Sequence, residues 1–252
     1  MRVFHQLSGW RAARADPDYR GRTIGFVPTM GALHAGHRAL LERARAENDR
    51  VVLSIFVNPT QFNDPADLAR YPRTLDSDLQ LAAGLVDDVL APAAADFYPN
   101  GYHYRVSEDD FSRRWEGAHR PGHFDGVLTI VLKLLNVVGA DRAYFGEKDW
   151  QQLQLVRGLV RDFFLPVEIV ACPTVRADDG LALSSRNRLL SPAARAKAAL
   201  FPKLMRAARQ PEAAETALQA AGFAVDYVAD HEGRRLGAVR LENVRLIDNV
   251  AL

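Results

Sequence analysis

Two histidines flank a glycine in His34-Ala35-Gly36-His37, at the end of the run Pro28-Thr29-Met30-Gly31-Ala32-Leu33. An apolar strand, Arg22–Val27, precedes them and a helix is expected over Arg38–Asn48, with Leu40, Leu41 and Ala44 on one face. A strand, a glycine turn and a helix N-terminus form an anion cradle, because free backbone N–H groups and the helix dipole both favour negative charge. Imidazoles at 34 and 37 add hydrogen-bond donors suited to phosphate oxygens. The same pair could be a zinc fragment or two surface histidines near a cap. Zinc is disfavoured, since the i, i+4 spacing, the zincin glutamate and a further Cys/His cluster are all missing.

A second candidate is Gly146-Glu147-Lys148-Asp149-Trp150-Gln151-Gln152, after a strand over Asp141–Phe145. Lys148 offers a mobile charge for phosphate. A solvated Glu-Lys-Asp loop ahead of a helix would look the same, and topology separates the two readings. If the strands before His34 and before Lys148 flank the point where strand order reverses, both loops lie where ligands bind in such sheets. A third candidate, Gly180–Arg188, gathers Ser184, Ser185, Arg186 and Arg188 ahead of a helix. It could close over a triphosphate or simply be a polar interdomain linker. Weaker signals are Asn58 and Gln61 in Asn58-Pro59-Thr60-Gln61-Phe62, and Arg120 in Gly117–Phe124 as a partner for carboxylate or phosphate. No covalent nucleophile is indicated. Cys172 lies in an apolar strand, and Ser184 and Ser185 lack the nucleophile-elbow context.

The elements that must position these groups alternate. Strands are expected over Arg22–Val27, Arg50–Val57, Val86–Leu90, Asp141–Phe145 and Val167–Cys172. Helices are expected over Arg38–Asn48, Asp76–Ala83, Val127–Val138 and Asp149–Phe163. Short strands apolar on both faces imply an α/β fold with a doubly wound parallel sheet, Rossmann-like, covered on both sides. Beyond residue 175 the texture changes. Ser191-Pro192 opens a helix running to about Ala208, a second helix follows Gln210-Pro211 to about Ala221, and strands are expected at Phe223–Val228 and Val239–Arg245. The division expected is an N-terminal domain over 1–175 and a small α+β domain over 176–252.

Bulk properties exclude several classes. The 252 residues carry a formal net charge of +1, so no basic field points to nucleic acid. The single cysteine excludes an internal disulfide. The opening Met1-Arg2-Val3-Phe4-His5 has no apolar signal segment, and no window approaches the length of a membrane span, so a cytoplasmic protein is expected.

With these motifs in order, the chain resembles the pantothenate synthetases (pantoate–β-alanine ligases), nucleotidyltransferases with folds like the class I aminoacyl-tRNA synthetases. The resemblance rests on Val27–His37, Ser54–Gln61, Leu68–Thr74, Arg120–Phe124, Phe145–Gln152, Gly180–Asn187 and Arg245–Asn249. HxGH alone marks only the superfamily, whereas HxGH with NPTQF, ARYPRT, GEKDxQQ and LSSRN is highly specific. It implies that pantoate carboxylate attacks the α-phosphorus of ATP, releasing pyrophosphate, and that the β-alanine amine then attacks the pantoyl adenylate, releasing AMP and pantothenate. The substrate supplies the nucleophile, so the protein need only position groups and stabilise charge.

By the same resemblance Met30, Gly31, Ala32, Leu33, His34, Ala35, Gly36 and His37 line the ATP site. So do Gly146, Glu147, Lys148, Asp149, Val175, Leu183, Ser184, Ser185 and Arg186. His37 is the proton-donating histidine, with His34, Lys148 and Arg186 as further catalytic groups. Gln61 and Gln152, with Asn58 and Arg120, hold pantoate, and Gln61 also reaches β-alanine. Mg²⁺ is expected on the ATP phosphates, and a homodimer is expected. There are four departures. Leu183 stands where many members have methionine, Asp125 stands where arginine is common, and the chain is short between Val228 and Val239. Ser77-Asp78 matches poorly a region of metal contacts, so no metal ligand is assigned. Two other readings compete: a cytidylyltransferase-like enzyme that keeps the nucleotide on its product, and a non-catalytic nucleotide- or RNA-binding module. Two neutral amides at 61 and 152 suit a small hydroxy acid and favour the ligase.

Overall fold

A computed structural model describes all 252 residues. It divides into two compact units. The larger comprises residues 1–33, 37–145 and 151–172, and the second comprises 34–36, 146–150 and 173–252.

The larger unit is built on six strands: β1 (Arg2–Phe4), β2 (Ile24–Thr29), β3 (Arg50–Ile55), β4 (Asp88–Leu90), β5 (Arg142–Gly146) and β6 (Glu168–Cys172). Their order is β1-β4-β3-β2-β5-β6. The pairs β1–β4, β4–β3, β3–β2 and β2–β5 are parallel. The sequence-based strands shift by two residues or fewer at most ends. The short edge strand β1 has no periodic signal of its own and forms by pairing with β4.

Alternation along these strands explains the two-faced cover. Phe26, Val52 and Leu90 enter one buried cluster with Phe124, Leu128, Leu135 and Val156, whereas Val27, Val51, Leu53 and Val89 enter another with Leu41 and Ala44. Successive strand side chains point to opposite faces, so an apolar run supplies both. Each fully buried aliphatic side chain contributes about 1.5–3 kcal/mol. Cys172 lies 3% exposed in the second of these clusters. The helix expected from Val127 begins at His123 and runs to Val138. His123 and Phe124 look like loop residues in sequence, but both are buried by tertiary packing.

In the second unit Ser191 caps a helix as expected, its Oγ accepting from Ala194 N at 3.2 Å, with Pro192 at the first helical position. The single helix expected to Ala208 is instead two, Pro192–Ala198 and Leu200–Ala207. Pro202 explains the break: it lacks an N–H and its ring clashes with the carbonyl four residues back, so it fits only the first turn of a new helix. The helix Pro211–Ala220 follows, then an antiparallel meander of β7 (Ala224–His231), β8 (Arg234–Leu241) and β9 (Val244–Ala251). The strand expected over Val239–Arg245 is therefore two strands joined at Glu242-Asn243. Alternation slips by only one residue at Glu242-Asn243, from apolar 239 and 241 to apolar 244 and 246, and Glu242 takes a left-handed conformation (φ 52°) that its residue type does not announce. The stretch between Val228 and Val239 is closed by Glu232-Gly233, both at positive φ (46° and 72°), as a tight hairpin turn requires. No helix is long and apolar enough to cross a membrane.

Candidate active site

The strand order reverses between β2 and β5, which pair through Gly25–Arg142 and Phe26–Ala143. The turns after these two strands carry His34/His37 and Lys148, so the topology that separates the functional reading from a solvated loop is the one observed.

In the larger unit, β2 leads into a turn with Gly31 at φ 80° and Ala32 at φ 51°. Asp78, 2% exposed, holds it: Oδ2 accepts from Ala32 N at 3.0 Å and from Thr74 Oγ1 at 3.2 Å, and Oδ1 accepts from Leu33 N at 2.7 Å. Sequence reasoning gave Asp78 no role, because a single carboxylate 45 residues from its partners leaves no local pattern. His37 lies in the first turn of the helix Ala35–Glu47.

Gln61 ends a short helical turn, Pro59–Gln61, capped by Asn58. Asn58 is 1% exposed. Its Oδ1 accepts from Tyr98 OH at 2.8 Å and Thr60 Oγ1 at 3.0 Å, and its Nδ2 donates to Gln61 Oε1 and to Gly126 O, each at 3.1 Å. Gln61 Nε2 reaches Met30 Sδ at 3.0 Å. Arg120 Nη2 donates to Gln61 O at 3.1 Å, its Nη1 contacts Glu116 Oε1 at 3.1 Å, and His123 Nδ1 lies 2.8 Å from the same Gln61 carbonyl. A guanidinium N–H aimed at His123 Nε2 (3.1 Å) requires that nitrogen to accept, so the proton sits on Nδ1 and donates to Gln61 O. Gly126 belongs to the same arrangement, since a Cβ there would stand 2.4 Å from Thr60 O. Asn58 and Arg120 thus bear on Gln61 itself, and sequence reasoning missed His123, Glu116 and Gly126. Of the adjacent glutamines 151 and 152 on the helix Trp150–Asp162, Gln151 is buried and fixes the 111–116 segment through Phe111 O (2.7 Å), Arg114 O (2.9 Å) and Glu116 N (3.1 Å). Gln152, half-buried, stands outside that set.

In the second unit, His34 Nδ1 accepts from Gly36 N at 3.1 Å, which places the remaining proton on Nε2. Burial, and then the charges of Lys148 and Arg188, push the His34 pKa down to about 4. His34 is therefore a neutral donor at pH 7. A Cβ at Gly36 would meet its ring at 2.8 Å, so glycine is needed there for the imidazole to fold back. Lys148 lies beside Asp149 (3.5 Å). The turn carrying it is held by Asn249, whose Nδ2 donates to Glu147 O at 2.8 Å and Lys148 O at 3.0 Å. Leu183 N bonds Val175 O at 3.0 Å, and Ser184 Oγ accepts from Arg186 N at 3.3 Å, opening the helical turn Ser185–Leu189. No group of three or more His, Cys, Asp or Glu side chains is placed to hold a metal ion.

A Rossmann-like sheet with phosphate-type donors at its reversal point defines a nucleotide-handling α/β enzyme. The particular family follows from comparison: the model of the pantoate–β-alanine ligases matches residues 2–251, and the chain belongs to that family. It is 56% identical over 253 residues to pantothenate synthetase of Bdellovibrio bacteriovorus, covering 100% of this chain and 98% of that one. It is 48% identical over 255 residues to that of Legionella pneumophila (strain Lens), covering both in full. The short segment after Val228 is thus compatible with relatives of the same overall length. Among solved structures, the Francisella tularensis pantoate–β-alanine ligase complexed with β,γ-ATP and β-alanine superposes with a TM-score of 0.95 at 40% identity, covering 100% of this chain and 97% of that one. The Thermus thermophilus enzyme gives 0.91 at 45% identity, covering 100% and 99%.

Proposed function

We propose that this protein joins pantoate to β-alanine at the expense of ATP, in the two steps of its family. The observation that carries the reading is the β2–β5 reversal point, with the HxGH and GEKD turns following those two strands. In the first step a pantoate carboxylate oxygen bonds to the α-phosphorus as the α–β phosphoanhydride bond breaks, and pyrophosphate leaves. In the second the β-alanine nitrogen bonds to the acyl carbon, AMP leaves, and the nitrogen loses a proton.

ATP is assigned to residues 30–37, 146–149, Val175 and 183–186. Neutral His34 donates through Nε2, Lys148 and Arg186 offset charge on the phosphates, and His37 donates a proton. Gln61 and Gln152 hold pantoate, with Gln61 also at β-alanine. Asn58 and Arg120 serve pantoate through Gln61, because their own polar atoms are engaged around it. The division proposed is a nucleotide- and pantoate-binding domain over 1–175 and a small lid domain over 176–252. Mg²⁺ enters with the substrate, on ATP phosphates and water. A cytoplasmic homodimer completes the reading.

The test is pyrophosphate release with ATP, Mg²⁺ and pantoate, with and without β-alanine, by wild type and His37→Ala. Pantoate-dependent release that falls by about 100-fold or more in the variant is expected, on the scale of general acid catalysis. Wild type that releases none, or that forms a stable nucleotidylated product which β-alanine does not cleave, overturns the reading.

A further inference from the structure

We propose that Asn249, on the last strand of the chain, is a positioning residue for Lys148, with Arg234 as its partner. The inference rests on the ligase reading only for what Lys148 does; the clamp itself stands on geometry. Asn249 is 3% exposed, and its Nδ2 spends both protons on consecutive carbonyls, Glu147 O (2.8 Å) and Lys148 O (3.0 Å). Its Oδ1 accepts from Arg234 Nη1 at 2.8 Å, and the other arm of that guanidinium, Nη2, pairs with Glu147 Oε2 at 3.0 Å. All the polar groups of the amide are therefore satisfied within the turn and the β8 strand that faces it.

The amide is itself anchored. Asp248 Oδ1 accepts from Asn249 N at 2.8 Å, and Arg176 forks onto both Asp248 oxygens (2.7 and 2.9 Å) while donating to Asn249 O at 3.0 Å. Side-chain exposure in that pair is 19% for Arg176 and 1% for Asp248, so the bidentate pair is well shielded from water. The arrangement has two effects on Lys148. It fixes the backbone from which the side chain springs, and it occupies the Glu147 carboxylate with Arg234. Asp149 is then the one neighbouring acid in contact with the ammonium group. A lysine side chain is a long flexible stem, so a fixed origin is what limits the volume its charge explores.

Asn249→Ala removes both donors. Asn249→Asp keeps the volume and turns a carboxylate towards two carbonyl oxygens. Arg234→Gln releases Glu147 and leaves Asn249 in place. Two readouts are needed. Amide hydrogen exchange of the 145–150 segment is expected to rise by about 10-fold or more in Asn249→Ala and Asn249→Asp, with exchange in β2 and β3 unchanged. Pantoate-dependent pyrophosphate release is expected to lose about 10- to 100-fold in kcat, the scale of a misplacement of about 1 Å, at unaltered KM for pantoate. Arg234→Gln should show a smaller loss of the same kind, and it decides the case if the position-249 variants do not fold. Unchanged exchange at 145–150 overturns the proposal whatever the enzyme catalyses. So does kcat within about twofold of wild type in folded variants, or a pantoate KM that rises in step with the loss of kcat. Wild type without pantoate-dependent release would instead sink the ligase reading and leave the exchange result to judge the clamp.

Discussion

Asp78→Asn and Asp78→Ala measure how much of the phosphate turn is held by one carboxylate. In the wild type two buried backbone N–H groups, Ala32 N and Leu33 N, and the Thr74 hydroxyl donate to it. Alanine leaves both N–H groups without an acceptor. At about 1–3 kcal/mol for each unsatisfied buried donor, the loss sums to about 3–5 kcal/mol once some water entry is allowed. Asparagine keeps the volume and one acceptor but presents an NH₂ to the other donors, for about 2–3 kcal/mol. Set against a total stability of about 5–15 kcal/mol, both are large. Urea denaturation followed by far-UV circular dichroism is the assay. With m about 3 kcal/mol/M, midpoints should fall by about 1–1.7 M for alanine and about 0.7–1 M for asparagine at unchanged m. Midpoints within about 0.2 M of wild type for both variants, on the order of 0.5 kcal/mol by the same slope, would refute the clamp.

Two further outcomes follow from the geometry. His34 should titrate near its lowered value of about 4, seen in its ring proton shifts, and a midpoint near 6.5 would contradict the buried, neutral assignment. The sign is fixed by linkage: between about 6.5 and 4 the unfolded chain binds the proton that the folded imidazole refuses. Stability therefore falls as pH drops through that window and is restored above it. Gly126→Ala forces a methyl group against Thr60 O and Gln61 N, at 2.4 and 2.8 Å, both backbone. Moving that turn should cost about 1–3 kcal/mol of stability and raise KM for pantoate about 10-fold or more, while KM for ATP changes little. Equal shifts in both constants would argue against a pantoate-side role for Gln61.

Sequence alone determined the local and the periodic. Apolar runs fixed five strands of the parallel sheet, because a strand buried on both faces must be apolar throughout. Ser191-Pro192 declared a helix start that the structure keeps. The motif residues around His34, Lys148 and Gln61 were legible because their chemistry is carried by residue type at short spacing. Tertiary structure decided what depends on distant partners. Asp78 meets the turn it holds across 45 and 46 residues, and Asn249 meets Glu147 and Lys148 across 102 and 101. No window can register such pairs. The tautomer of His34 follows from Gly36 N at its Nδ1, and that of His123 from Arg120 at its Nε2, both contacts that exist only in the folded protein. The hairpin at Glu242-Asn243 leaves only a one-residue slip in the alternation and no glycine or proline to mark a turn, and pairing of β8 with β9 shows where the chain reverses. Residue type names the chemistry available, whereas hydrogen-bond geometry, which exists only after folding, assigns each group its partner.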